Sequence, residues 1–284
     1  SRSFIRPKGS VSLAWRPRPN LDVSLKVERL VGQLDFFDFV ESVDVSQNNG
    51  NAGNPGLVPP QSWRAELETT RKLGPWGSMT VSIYGEKFSD IVDSIPITAT
   101  TEARGNLDSA TSYGVELVSS LLLDPIGWHG AKLDIEGEIR KSALRDPLTG
   151  IHRRISDDKI FTYEVTFRHD IPNSNWAWGA GAEDFRYSKF LRLDQVNNFR
   201  TGAPYTWIFA EHKNVFGLTV KAELGNLLGR SENFTRTAYG NLLGQPGDRD
   251  RPFMRGRRNG PIAFVEDRSR EFGLIYRLTV SGSF

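Results

Sequence analysis

Residues Arg268–Phe284 read RSREFGLIYRLTVSGSF, and this stretch decides the fold. Phe272, Leu274, Tyr276, Leu278 and Val280 share one parity; Glu271, Gly273, Arg277, Thr279 and Ser281 share the other, with Ile275 the apolar exception. Side chains alternate across a strand with period two, so the stretch predicts a strand apolar on one face and polar on the other. Phe284, the last residue, is aromatic. An apolar face ending in a terminal Phe is what the closing strand of an outer-membrane β-barrel presents.

The same alternation recurs upstream. Candidate strands run from about Ser10 to Trp15, and through Leu21–Val27, Trp63–Leu67, Met79–Ile83, Tyr113–Leu117, Ala131–Ile139, Phe161–Phe167, Trp176–Ala182, Tyr205–Phe209 and Leu218–Leu224. With the terminal one they make about 11 strands. Phe185 and Tyr187 fall on the opposite parity from Trp176 and Trp178, which predicts a bulge between them. Period two alone does not separate a soluble sandwich from a membrane barrel.

Connection lengths do separate them. Arg16–Asn20, Gly74–Gly77, Asp124–Trp128, Ile171–Asn175 and Lys213–Phe216 are tight and rich in Pro, Gly and Asn. Gly32–Pro60, Ser89–Ser109, Ala143–Ser156, Leu191–Arg200 and Gly229–Asp267 are long, and the two kinds alternate. Short periplasmic turns and long extracellular loops are the outer-membrane pattern. Trp15, Trp76, Trp128, Trp176 and Trp178, five of the seven tryptophans, flank the short turns. Indole favours the membrane–water interface, so these five predict a periplasmic-side aromatic girdle.

Composition agrees. At 38% hydrophobic and 25% charged residues, the chain is poor in apolar residues for a soluble domain, whereas a barrel needs them only on its outer face. A run of 18 apolar residues, as a transmembrane helix requires, is absent. The chain lacks Cys, which excludes disulfides, thiolate metal sites and Cys nucleophiles. The net charge of +2 argues neither for nor against a nucleic-acid partner, but no aromatic–basic platform accompanies the basic run described below, so none is expected.

The order of these segments resembles the TonB-dependent outer-membrane receptor family. Phe216–Arg230 looks like the family's penultimate barrel strand, with Asn226-Leu227 where the strand enters its outer loop. Phe272–Phe284 looks like the final strand, and Pro59–Leu67 and Gly105–Leu117 are similar to middle strands. The resemblance implies an antiparallel up-and-down transmembrane β-barrel, of which residues 1–284 are the C-terminal half of a wall of about 22 strands. It further implies energy-coupled uptake of a scarce ligand, most often a ferric siderophore, in the outer membrane of a Gram-negative bacterium. The implied partners are outer-membrane lipid and lipopolysaccharide, the barrel-assembly machinery, and TonB through an N-terminal plug for which this sequence has no segment. Strand parity points the same way: 11 strands with a periplasmic C-terminus put Ser1 at the extracellular end, so further strands are expected upstream. A passive porin and a soluble β-rich binding module are the alternatives.

Chemistry-bearing candidates are few. His129, His152, His169 and His212 lack metal-ligand spacing; three lie near short turns and read as interface-level polar residues, and His152 sits in an Arg-rich loop where a ligand could reach it. Gly179-Ala-Gly181 and Gly53–Gly56 open no helix, so they are not phosphate loops. Asp157-Asp158 and Asp146-Pro147 lack calcium-loop spacing. A Ser/His/Asp arrangement is not inferable, and neither enzymatic activity nor a cofactor is expected. The segment Arg249–Arg258 carries Arg249, Arg251, Arg255, Arg257 and Arg258 in the longest outer loop. It is a candidate for an anionic ligand, since guanidinium forks pair with carboxylate or phosphate, but pairing with lipopolysaccharide phosphates, or simple solvation with Asp248 and Asp250 partly neutralising it, is the stronger reading.

Overall fold

The computed structural model describes residues 4–36, 39–40, 42–44, 49–51, 53–97, 102–239 and 262–282. Its backbone is an antiparallel meander. The main path joins β1 (Gly9–Arg18), β2 (Leu21–Val31), β5 (Gln61–Lys72), β6 (Gly77–Pro96), β7 (Glu102–Leu122), β8 (Ala131–Arg145), β10 (Lys159–Asp170), β11 (Trp176–Tyr187), β14 (Tyr205–Val215), β15 (Leu218–Gly225) and β18 (Ile275–Ser281) in that order. These are the 11 strands that the alternation marks. Short strands β3 (Ser42–Asp44), β4 (Asn49–Asn51) and β9 (His152–Arg153) lie off this path. The sheet is open: β1 and β18 are its edges, and both run toward the short-turn end.

The tight turns have local causes. Leu73-Gly-Pro-Trp-Gly77 and Leu123-Asp-Pro-Ile-Gly127 each form one 3-10 turn. Proline presets φ inside the turn, and the closing glycine takes positive φ, 95° at Gly77 and 84° at Gly127. The other end of the sheet is less loop-like than its composition suggests. β6 and β7 run 20 and 21 residues, so most of Ser89–Ser109 is strand. β12 (Phe190–Leu191), β13 (Gln195–Thr201), β16 (Ser231–Tyr239) and β17 (Ile262–Glu271) occupy much of the two later segments expected to be loops, and form a second sheet in the order β12-β13-β16-β17.

That second sheet continues the first. β12 follows β11, β13 precedes β14, β16 follows β15 and β17 precedes β18, and both sheets have the same strand order. The four strands are interrupted at one level: residues 188–189, 202–204, 226–230 and 272–274. Arg268–Phe284 is therefore not one strand. It breaks at Phe272–Leu274, and the break reverses side-chain parity. Leu274, Tyr276, Leu278 and Val280 lie on the exposed apolar face, whereas Phe272 turns to the opposite, polar face beside Ile275 and Arg277. Phe284 lies outside the described residues. The predicted bulge between Ala182 and Phe185 is also corrected. β10 and β11 keep unbroken register from Phe161↔Arg186 to Asp170↔Ala177, and the slip lies at Lys159/Phe161. Phe185 has the other parity because it faces the polar side.

The two faces differ sharply. On one, apolar side chains align across strands. Leu13, Leu25, Leu67, Ile83, Val115, Ile139 and Phe161 are successive partners across seven strands. Nearer the short turns, Leu121, Leu133, Phe167, Ala180, Ile208, Leu224 and Tyr276 form another such row. Many are exposed, Ile139 by 70% and Tyr276 by 79%. Water-soluble surfaces rarely carry contiguous apolar area on this scale. The polar face is concave and lined with charge. Among the described residues, a small dry cluster near the long-loop end gathers Ile91, Ala110 and Leu144, with Phe88, Leu107 and Ile155 against it.

Candidate functional site

The concave face has a paved half and a hollow half. Tyr84 centres the paved half. Its ring lies across Gly114, where a Cβ would clash with it, and is 3% exposed. The Arg64 guanidinium stacks 3.7 Å from the ring centroid, the Tyr84 hydroxyl donates to Glu138 (2.6 Å), and Arg140 Nε donates to the hydroxyl oxygen (2.7 Å). Arg64 also pairs with Glu66 (2.7 Å) and Glu116 (3.4 Å), and Arg140 with Asp158 (3.3 Å). Every charge in this set has an opposite neighbour, so the half is a filled wall.

The hollow half holds a cavity of about 760 Å³ over β8, β10, β11, β14, β15 and β18. Cross-strand register sorts its lining into layers. Nearest the short turns, Lys132, Arg168, Phe209, Glu223 and Arg277 are brought level, with Gly179 between Arg168 and Phe209. The next layer is Asp134, Thr166, Gly181, Trp207, Gly225 and Ile275. Above it run Glu164, Glu183 and Tyr205, with Glu136 opposite Glu164 just outside the cavity.

Tyr205, Trp207 and Phe209 mark their strand in the sequence, but they point into the cavity rather than outward; Ile208 and Ala210 take the apolar face. Glycine makes this possible. A Cβ at Gly179 would clash with the Phe209 ring, one at Gly181 with Trp207, and one at Gly225 with the Tyr205 hydroxyl. Gly179-Ala-Gly181 therefore seats aromatic rings. Phe209 is covered by Lys221 Nζ, 4.2 Å from its centroid, and Phe185 by Arg230 at 4.8 Å. Trp207 and Tyr205 sit side by side, centroids 5.8 Å apart and tilted by 33°.

The upper edge of the cavity is the strand break, held by Asn226. Its backbone is left-handed (φ 60°) and its side chain 2% exposed. Nδ2 donates to the carbonyls of Phe272 (2.7 Å) and Gly273 (3.1 Å), and Oδ1 accepts from Arg230 N (2.6 Å). One amide thus ties both broken segments together. Asn tolerates left-handed φ better than most residues and offers both a donor and an acceptor, which explains the residue type here.

Above the cavity, the long-loop end is cross-braced. Arg153 donates to Asp146 (2.6 Å) and Asp93 (3.0 Å), both almost fully buried. Arg192 pairs with Glu102, which also accepts from Leu193 N (2.8 Å). Burial raises the Asp194 carboxyl above its ordinary pKa; nearby Glu102 adds to this, and Arg192 and Arg236 only partly offset it.

Of the residues singled out in the sequence, the five tryptophans all lie at the short-turn end, 40–51% exposed. Trp128 and Trp178 flank Phe167 at 4.8 and 5.2 Å. Trp178 Nε1 donates to His169 Nδ1 (3.1 Å), leaving His169 Nε2 to donate to the His129 carbonyl (3.2 Å). His212 packs edge-on against Trp176 at 4.8 Å. His152 lies exposed on β9, opposite Arg145. Arg249, Arg251, Arg255, Arg257 and Arg258 lie outside the described residues. Sequence reasoning missed the cavity; its signal was the pairing of β11 glycines with the β14 aromatics.

No family model matches the chain, and no curated protein sequence matches it. Among solved structures it is similar to the siderophore receptor PirA from Acinetobacter baumannii, at 10% identity and a TM-score of 0.55. The match covers 93% of this chain but 41% of the receptor, so the chain spans less than half the receptor's length. At that identity the likeness speaks for the fold alone: a receptor-type antiparallel barrel wall.

Proposed function

We propose that the chain forms part of the wall of an outer-membrane β-barrel belonging to a TonB-dependent uptake receptor, with a ferric siderophore as its ligand. The observation that carries the membrane part is the pair of cross-strand apolar rows on the exposed face, opposite a charged concave face. A bilayer selects that arrangement, because lipid covers one side and a wet lumen the other. The tryptophans at the short-turn end support a periplasmic interface there. In this reading the long-loop end meets lipopolysaccharide, the barrel-assembly machinery inserts the strands, and a plug outside this sequence engages TonB. The resemblance of the siderophore receptor's fold supports the choice of ligand.

Because β1 and β18 run in the same direction, pairing them with each other would be parallel. An antiparallel closure instead takes further strands between them, as in a wall of about 22. The test is uptake of radiolabelled ferric chelate by iron-starved cells with and without the gene. Uptake that requires the gene and stops with a protonophore supports the reading. Gene-dependent uptake that persists without the proton gradient indicates a passive porin and overturns it.

A further inference from the structure

The charges around the cavity specify more than an iron chelate in general. All five cations lining it are engaged: Lys132 with Asp134 (2.7 Å), Arg168 with Glu211 (2.7 Å) and Asp170 (2.9 Å), Lys221 and Arg277 with Glu223 (3.0 Å each), and Arg230 with Asp184 (3.9 Å). Five carboxylates share that lining, and Asp170, Asp184 and Glu211 stand just behind it. Among the described residues, Glu136, Glu164 and Glu183 form no ion pair. Yet Glu164 lies directly opposite both of the others. Like charges face to face across strands cost stability, so folding does not explain the row. It lies on the long-loop side of the Trp207 layer, where an anion entering from that end would pass it.

The rings differ in the same sense. Phe209 and Phe185 are already covered by Lys221 and Arg230, whereas Trp207 and Tyr205 present an aromatic surface to the cavity. Volumes of about 300–1,000 Å³ lined by aromatics and a few polar groups suit small organic ligands.

We infer that this cavity binds an electrically neutral ferric chelate, one in which three singly charged bidentate oxygen donors balance Fe³⁺, with its organic flank on Trp207 and Tyr205. The acidic row acts against trianionic complexes built from three doubly charged donors. This rests on the uptake reading above and names its ligand class.

The experiment uses the full-length protein in detergent. The probes are gallium(III) complexes of a neutral cyclic trihydroxamate and of a tris-catecholate trianion, the closed-shell metal avoiding paramagnetic quenching. Binding is followed by equilibrium dialysis. The neutral complex binds at least tenfold more tightly. Trp207→Ala weakens it tenfold or more, and Trp207→Phe, which keeps a ring, stays within threefold. The Glu164→Gln/Glu183→Gln double variant leaves the neutral complex within twofold and tightens the trianion about tenfold at low salt, a gain lost at high salt. Tighter binding of the trianion by the unaltered protein overturns the inference while leaving energy-coupled uptake standing. So does an unchanged affinity in Trp207→Ala, or binding of neither complex. The uptake reading falls only on its own assay.

Discussion

Replacing Asn226 should separate the two sheets. Its side chain, itself almost fully buried, makes three hydrogen bonds, to the Phe272 and Gly273 carbonyls and from Arg230 N. At about 0.5–1.5 kcal/mol net for each bond, Asn226→Gly should cost about 2–4 kcal/mol, since glycine keeps the left-handed backbone without strain. Asn226→Ala loses the same bonds and adds about 1–2 kcal/mol for a Cβ at φ 60°. Asn226→Asp keeps the backbone and the acceptor to Arg230, but sets a carboxylate oxygen against two carbonyls; it should destabilise at least as much as alanine at neutral pH and less at a pH that protonates it. The assay is urea unfolding in detergent, with hydrogen exchange read separately over Ser231–Tyr239 and Ile262–Glu271. The exchange should rise there first, before β15 and β18 open. A loss below about 0.5 kcal/mol in Asn226→Gly, or equal exchange in both sheets, refutes the idea that this amide is the joint.

Three further outcomes follow from the same geometry. Arg153→Met strands Asp93 and Asp146 in a buried site, and should cost about 3–5 kcal/mol of unfolding free energy, measured in urea. Asp194 has a folded pKa above its unfolded value, so it binds its proton more tightly when folded and its contribution falls as pH rises through that window. Asp194→Asn should therefore raise the thermal midpoint at pH 7 and have no stabilising effect below the ordinary carboxylate pKa; the reverse order contradicts the assigned shift. Gly181→Leu drives a side chain into the space of the Trp207 ring, and should cost about 1–3 kcal/mol in urea unfolding and shift tryptophan emission.

The path of 11 strands was legible because period-two alternation and turn composition act over a few residues. The outer sheet was not. Asn226–Arg230 and Gly202–Pro204 have loop composition, and nothing local says that the chain resumes pairing in the same order after them. Phe272 was assigned the wrong face because parity was carried through the break. The face taken by Tyr205, Trp207 and Phe209 was not legible either. Their alternation was correct, but their inward orientation depends on Gly179 and Gly181 of one neighbouring strand and Gly225 of the other, a fact of register rather than of sequence. The place of the five tryptophans at the short-turn end was legible because tryptophan position relative to a tight turn is itself local.

The central claim is that one face of the sheet meets lipid and the other water. Single cysteines at Leu67, Ile83, Val115 and Ile139, and at Glu66, Glu116, Glu136 and Glu164 on the alternate face, carry a nitroxide label in the full-length protein reconstituted into bilayers. The account expects the first set to be relaxed by oxygen and shielded from a water-soluble nickel chelate, and the second set to show the opposite. Equal access of the nickel chelate to both sets would place the apolar rows in water and contradict the membrane-barrel account.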